Sequence, residues 1–351
     1  MRDVARMALT EGMVIAKDVV TSSNDIIVKA GTSVSTYTIQ KLARYNVMLV
    51  TIMEDIDYAV TYFEKIRLSE QFIAFEIAYK RQIEMYRTLM SIVVDNNMDV
   101  PVDELLKMYD SVMSVVREKD KVLDYLYNML PTEDGMTHAH CFNSALIAGV
   151  FADWLSLNEE DTKTLIIAGF LYDIGKLKLP YDLIWKSGKL SPLEFERIKT
   201  HTFLGFQILQ DKSINSHVLK SALSHHERYD GSGYPSRLHD VQIDYFARII
   251  AIIDSYEAMT SARTYRPSKH PFEVIDIFEH DAIKYDMEIL NPILYHLANH
   301  MVGLNVKLNN DVTAEVIMIN QSHISRPLLR DEKDSFIDLF ERKDLKITGI
   351  Y

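Results

Sequence analysis

The rhythm of apolar and polar positions changes three times along this chain. Residues 1 to about 60 carry short apolar runs at Met13–Ala16, Ile26–Val28 and Val47–Met53, with a turn at Ala30-Gly31 and a helical pattern over Thr38–Tyr45. Short runs bounded by turn residues predict strands, so this stretch reads as a small α+β domain. From Tyr62 to Asn96 the spacing becomes helical, with Phe63, Ile66, Ile73, Ile77, Tyr86, Met90 and Val93 roughly sharing faces. Asp99-Val100-Pro101 breaks it, and a second helix is expected from about Val102 to Leu130. Residues 61–130 thus read as a helical hairpin: a connector, a dimerisation stalk, or a plain packed hairpin within one subunit.

Residues 131–300 are nearly all helical in pattern, and Ser191-Pro192-Leu193-Glu194 offers a cap, a first-turn proline and a closing glutamate. Residues 301–351 change character again. Strands are expected at Asn305–Leu308, Ala314–Ile319 and Leu345–Ile350, with polar turns at Asn309-Asn310 and Asp331–Asp334. The expected fold is mainly α, an all-helical domain flanked by a small α+β region and a β-rich appendage.

Composition narrows the function classes. Of 351 residues 48% are apolar, enough for packed cores, yet no apolar run approaches the roughly 20 residues needed to cross a bilayer. The N-terminus lacks the pattern of a secretory signal, and the single cysteine, Cys141, excludes an intrachain disulfide. A cytoplasmic location is expected. A net charge of -12 argues against binding polymeric nucleic acid, although placed cations still permit a small anionic ligand.

Two aspartates interrupt apolar runs: Asp173 follows Leu165–Tyr172, and Asp254 follows Ile249–Ile253. Either alone reads as a salt-bridged core residue, because an uncompensated buried carboxylate is costly. Together with His140, His201 and the adjacent pair His225-His226, they point to a metal centre assembled from several helices. Mixed nitrogen and oxygen donors suit Fe, Mn, Co or Zn better than Ca. Cys141 lies about 100° around a helix from His140 and reads as a small buried hydrophobe. His217, His239, His270, His280, His296, His300 and His323 fit no metal motif.

Several strings, in order, carry a resemblance: His140-Cys141-Phe142-Asn143, Gly169–Lys176, Ile198-Lys199-Thr200-His201, His225–Pro235, Asp254–Tyr256 and Thr260–Arg266. The chain resembles the HD-GYP family, metal-dependent HD phosphohydrolases that hydrolyse cyclic di-GMP. The resemblance implies two transition-metal ions, Fe or Mn. His140, Asp173, Asp254 and the residue at 172 would hold the first. Asp173 as a bridge, with His201, His225 and His226, would hold the second. It also implies two-metal hydrolysis, with Asp173 and Lys176 catalytic and Lys176 aimed at the phosphate. Arg263 and Arg266 would grip the other phosphate or a guanine edge, or else pair with Glu257 or Glu273. Tyr234 would stack on a base or pack beneath the Gly231–Pro235 loop, which is tied in the family to nucleotide recognition and to signalling partners.

The chain departs from the pattern at the founding His-Asp pair, which here is Tyr172-Asp173, and at Met136, where some members carry a glutamate for a third metal. Three outcomes fit Tyr172: a phenolate ligand, a substitute ligand in His138, or a weak or empty first site. The leading expectation is a cyclic di-GMP phosphodiesterase with a modified centre. The alternatives are a degenerate receptor or scaffold that keeps metal and nucleotide binding, and hydrolysis of another phosphoester. A homodimer is compatible with the long hairpin.

Overall fold

A computed structural model describes residues 2–10, 13–21, 25–53, 61–129, 136–184, 186, 188–261 and 268–351. The first elements are β1 (Arg2–Ala5), β2 (Val14–Ile15), β3 (Val19–Val20), β4 (Ile26–Val28), α1 (Thr36–Arg44) and β5 (Leu49–Met53). β5 lies between β1 and β2 in an antiparallel sheet, with Val50 opposite Val4 and Ile52 opposite Ile15; β3 and β4 pair separately. Alternation turns Val50 and Ile52 inward, where they meet Val4, Ile15, Val34 and Leu42 in a core of their own. Ser35 starts α1 by accepting the Thr38 amide. The α+β pattern was expected; β1, polar at Arg2-Asp3, was not.

Both helices expected in the second region are broken. In place of the first stand α2 (Tyr62–Arg67) and α3 (Glu70–Asp95); in place of the second, α4 (Val102–Met113) and α5 (Lys121–Asn128). Ser69 accepts the Phe72 amide and caps α3, so the chain restarts there without proline or glycine. Ile73 and Ile77 do not join the buried face: they are 48% and 66% exposed, while Phe72, Phe75, Tyr79, Tyr86, Met90 and Val93 are buried. These side chains share one core with the helices that follow, which favours the packed arrangement over a free stalk.

The helical domain contains α6 (Met136–Trp154), α7 (Glu159–Leu171), α8 (Tyr181–Ile184), α9 (Pro192–Lys199), α10 (His201–Leu209), α11 (Ser216–Ser224), α12 (Tyr245–Thr260), α13 (Pro271–His280) and α14 (Met287–Asn299). Asn158 caps α7, and Glu159, Glu160 and Asp161 complement the positive end of its dipole. Beyond that turn, residues 164–171 are buried on every side. Two glycines permit close approaches. A Cβ on Gly169 would stand 2.7 Å from the Ala145 Cα, so glycine lets α7 touch α6. A Cβ on Gly175, in the 3-10 turn Ile174–Lys178, would stand 1.9 Å from the His201 carbonyl oxygen. That vacancy brings the start of α10 beside Asp173. The capping box at Ser191 and Glu194 opens α9 as expected.

The C-terminal strands are β6 (Asn305–Leu308), β7 (Thr313–Met318), β8 (Leu328–Asp331), β9 (Phe336–Asp338) and β10 (Ile347–Ile350), in the antiparallel order β10-β6-β7-β8-β9. β8 and β9 were not anticipated. Val306, Leu308, Val316, Leu329 and Ile350 belong to the same core as the helices. Glu279 of α13 accepts the Ile324 and Ser325 amides, and His270 donates from Nε2 to the Ile347 carbonyl. The appendage is therefore packed onto α13. Among the described residues, no helix is long and apolar enough to cross a membrane.

Candidate metal centre

Helix ends deliver most of the polar residues that meet in this core. Asp173 follows the last turn of α7, His201 is the first residue of α10, and His225 and His226 follow α11. His140 lies near the start of α6, and Asp254 sits inside α12 with Glu257 about one turn on. Among the described residues, two groups converge closely enough to hold a cation: Asp173, His201, His225 and His226; and His140, Asp173 and Asp254.

In the first group, His201 donates from Nδ1 to the Ile198 carbonyl (2.6 Å) and His225 from Nδ1 to the Ser221 carbonyl (3.0 Å). A neutral ring carries one such proton, so both Nε2 atoms turn lone pairs inward. They lie 3.2 Å from each other, and 3.2 and 3.5 Å from Asp173 Oδ1. That oxygen is buried and has no hydrogen-bond partner among the described residues. Three buried acceptors facing one another repel unless a cation stands between them. Donors on one ion about 2.1 Å away would themselves be about 3.0–3.4 Å apart, which these spacings match. The donor set therefore fits a transition metal. Burial holds His201 below the usual imidazole range and, with His225 adding to it, holds His226 well below, so both stay neutral as ligation requires.

The second group is bonded differently. His140 Nδ1 lies 2.5 Å from Glu257 Oε2, and its Nε2 lies 3.0 Å from Asp254 Oδ1 and 3.5 Å from Asp173 Oδ2. Burial opposes charge on His140, but Glu257 and Asp254 outweigh it and lift the imidazole to about 9. The Tyr172 hydroxyl is fully buried and stands 2.5 Å from His140 Nε2, 3.0 Å from Ser144 Oγ and 3.4 Å from Asp254 Oδ1. Burial, then Asp254 and Asp173, push its phenol well above the usual tyrosine range. Lys176 donates to Asp173 Oδ2. Burial works against that ammonium, yet Asp173 and Asp254 raise its pKa.

The residues singled out in the sequence meet here with some changes. Tyr234 packs its ring on His226 (centroids 4.7 Å apart, 28° between planes), with the Lys199 ammonium 5.4 Å from its centre. His138 is in neither group of converging donors: it is half-buried, its Nε2 has no partner among the described residues, and its ring meets Tyr86 edge-on. Cys141 is buried, as expected. Arg263 and Arg266 lie outside the described residues. Glu257 and Glu273, proposed as their partners, have others: Glu257 takes His140, Asn143 and Ser261, and Glu273 takes Lys269.

Sequence reasoning missed two acids. Glu257 orients His140 and is itself held by Asn143, whose carbonyl accepts the Tyr79 hydroxyl from α3. Glu227 accepts the Ser236 and Leu238 amides from within the core and so shapes the loop after the histidine pair. Glu227 lies within the His225–Pro235 string, whereas Glu257 falls just after Asp254–Tyr256 and reads from the sequence only as a partner for an arginine.

Residues 124–289 match the family model described as HD domain. A cyclic di-GMP phosphodiesterase of Thermotoga maritima is 34% identical over 197 residues, covering 55% of this chain and 50% of its own. The cyclic di-GMP phosphodiesterase response regulator RpfG of Xanthomonas campestris pv. campestris is 37% identical over 158 residues, covering 44% and 42%. A 3'3'-cGAMP-specific phosphodiesterase of Vibrio cholerae is 35% identical over 181 residues, covering 51% and 42%. The chain thus spans half or less of the length of these relatives. Among solved structures, Bd1817, an HDG"Y"P protein from Bdellovibrio bacteriovorus, superposes with a TM-score of 0.50 at 17% identity, over 84% of this chain and 99% of that one. This last likeness concerns the fold alone.

Proposed function

We propose, from the premise that residues 124–289 are an HD domain of the HD-GYP kind, that this chain is a metal-dependent phosphodiesterase acting on cyclic di-GMP in the cytoplasm. The observation that carries the reading is the orphaned, buried Asp173 Oδ1 facing the inward lone pairs of His201 and His225. An Fe or Mn ion held by Asp173, His201, His225 and His226 would supply Lewis-acid chemistry toward a phosphoryl oxygen. The Ile198 and Ser221 carbonyls fix the two imidazoles in the ligating tautomer. Lys176 keeps a positive charge beside the centre, where it neutralises Asp173 and faces the charge of an incoming phosphodiester. Relatives named for cyclic di-GMP support this substrate; the relative specific for 3'3'-cGAMP makes a second cyclic dinucleotide the natural comparison.

The test is turnover by the purified chain loaded with Mn(II) or Fe(II), followed by separation of cyclic from linear dinucleotide. Linear product that disappears in Asp173→Asn is the expected result. Metal-loaded protein that leaves both cyclic dinucleotides intact would remove the enzymatic reading and favour the receptor.

A further inference from the structure

We propose that this centre holds a single metal ion, on the Asp173–His201–His225–His226 side, and that Tyr172 and Lys176 satisfy the other position with hydrogen bonds. The inference rests on the metal-dependent reading above and makes it narrower. It comes from comparing how the two groups of donors are already occupied.

His140 Nδ1 is taken by Glu257, which leaves Nε2 as the atom a metal would need. The Tyr172 hydroxyl lies 2.5 Å from that Nε2, a hydrogen-bond length shorter than the roughly 3.0 Å at which two donors on one ion about 2.1 Å away would stand. That contact, with Asp254 Oδ1 3.0 Å from the same nitrogen, engages the atom a metal would need, whichever partner donates. Ser144 Oγ, 3.0 Å away, completes the hydroxyl's bonding on its other side. Asp254 Oδ1 faces both His140 and Tyr172. Asp173 Oδ2, the oxygen that would bridge to this position, is paired with the Lys176 ammonium. Each donor of the position thus has a partner within the protein. On the other side Asp173 Oδ1 has none, and the two imidazoles facing it point lone pairs at one another. The contrast assigns the ion to one side. Tyr172 acts as a positioning residue: its hydroxyl fixes His140 and Asp254 around a position that stays free of metal.

The experiment is metal content together with electron paramagnetic resonance of the full chain saturated with Mn(II) and freed of excess. One Mn(II) per chain with the spectrum of isolated ions is expected for the natural sequence. Two per chain, with exchange-coupled ions, are expected for Tyr172→His. Two ions in the natural chain, or a phenolate-to-iron absorption band in the ferric protein, would overturn the inference, as would a Tyr172→His variant that still takes one ion. If that variant does not fold, the count and the ferric spectrum of the natural chain decide the matter. A chain that binds no ion at all would sink the metal-dependent reading together with this one. A chain that binds one ion and turns over nothing would sink only the enzymatic reading.

Discussion

Asp173 is fully buried at the end of an apolar helix, and its two oxygens have different neighbours. Oδ2 takes the Lys176 ammonium, while Oδ1 faces imidazole lone pairs. Burial alone would raise this carboxyl, but the Lys176 ammonium is the largest influence the other way, and the group lies well below the usual carboxylate range and stays charged. Replacing Lys176 by methionine keeps the packing of the stem and removes the charge. The expected result is a fall in kcat of roughly 10²–10³-fold with one ion still bound. Unchanged kcat would mean that Lys176 only balances Asp173. Such residues stood out in the sequence because a carboxylate within an apolar run demands a partner. Glu257 did not, since an acid on a helix is usually solvated and only the tertiary fold brings His140 and Asn143 to it. Tyr172 was ambiguous for a similar reason: its neighbour at 2.5 Å is 32 residues away in the chain.

Elements carry these side chains by their ends, so small shifts between helices are felt at the centre. Among the described glycines, Gly175 against the His201 carbonyl is the tightest approach to another stretch of backbone. Gly175→Ala forces a methyl group into backbone that cannot yield, and the start of α10 must move. A loss of stability of about 1–3 kcal/mol is expected, with weaker metal binding because His201 moves with it. Denaturation together with metal titration checks this. A variant with native metal affinity would show that α10 is not placed through this contact. Helix α3, outside the matched HD domain segment, reaches the same site from the other side: Tyr86 donates to the Phe170 carbonyl, and Tyr79 holds Asn143. The element types followed from periodicity. The breaks after α2 and after α4 did not, because capping by Ser69 and the turns at 114–120 leave no proline or glycine to mark them. Strands β8 and β9 are short and carry polar residues, which hid their alternation.

Beyond the N-terminal sheet, the regions separated by pattern share one apolar core, and buried polar contacts join the helical hairpin to the helical domain. His300, at the end of α14, lies 3.1 Å from Asp120 Oδ2 and 2.9 Å from Asp124 Oδ2; the latter oxygen also accepts the Tyr62 hydroxyl and faces Lys121. Burial and Lys121 oppose charge on His300, but Asp124, with help from Asp120, raises its pKa above the ordinary value. A raised folded-state pKa means that the stabilisation is complete below about pH 6.5 and fades as pH rises through the folded value. His300→Gln is therefore expected to cost about 1.5–3 kcal/mol at pH 6 and less at pH 9. Urea denaturation at both values checks this, and an equal cost at the two would contradict a charged His300. The N-terminal sheet keeps a core of its own, whereas the C-terminal strands share the core of the helices, which strand pattern alone does not reveal.

The most direct measurement is an anomalous difference map from crystals grown with Mn(II). The account predicts a peak about 2.0–2.2 Å from Asp173 Oδ1, His201 Nε2 and His225 Nε2. Side chains that keep these positions around no peak, with the metal bound elsewhere or absent, would contradict it.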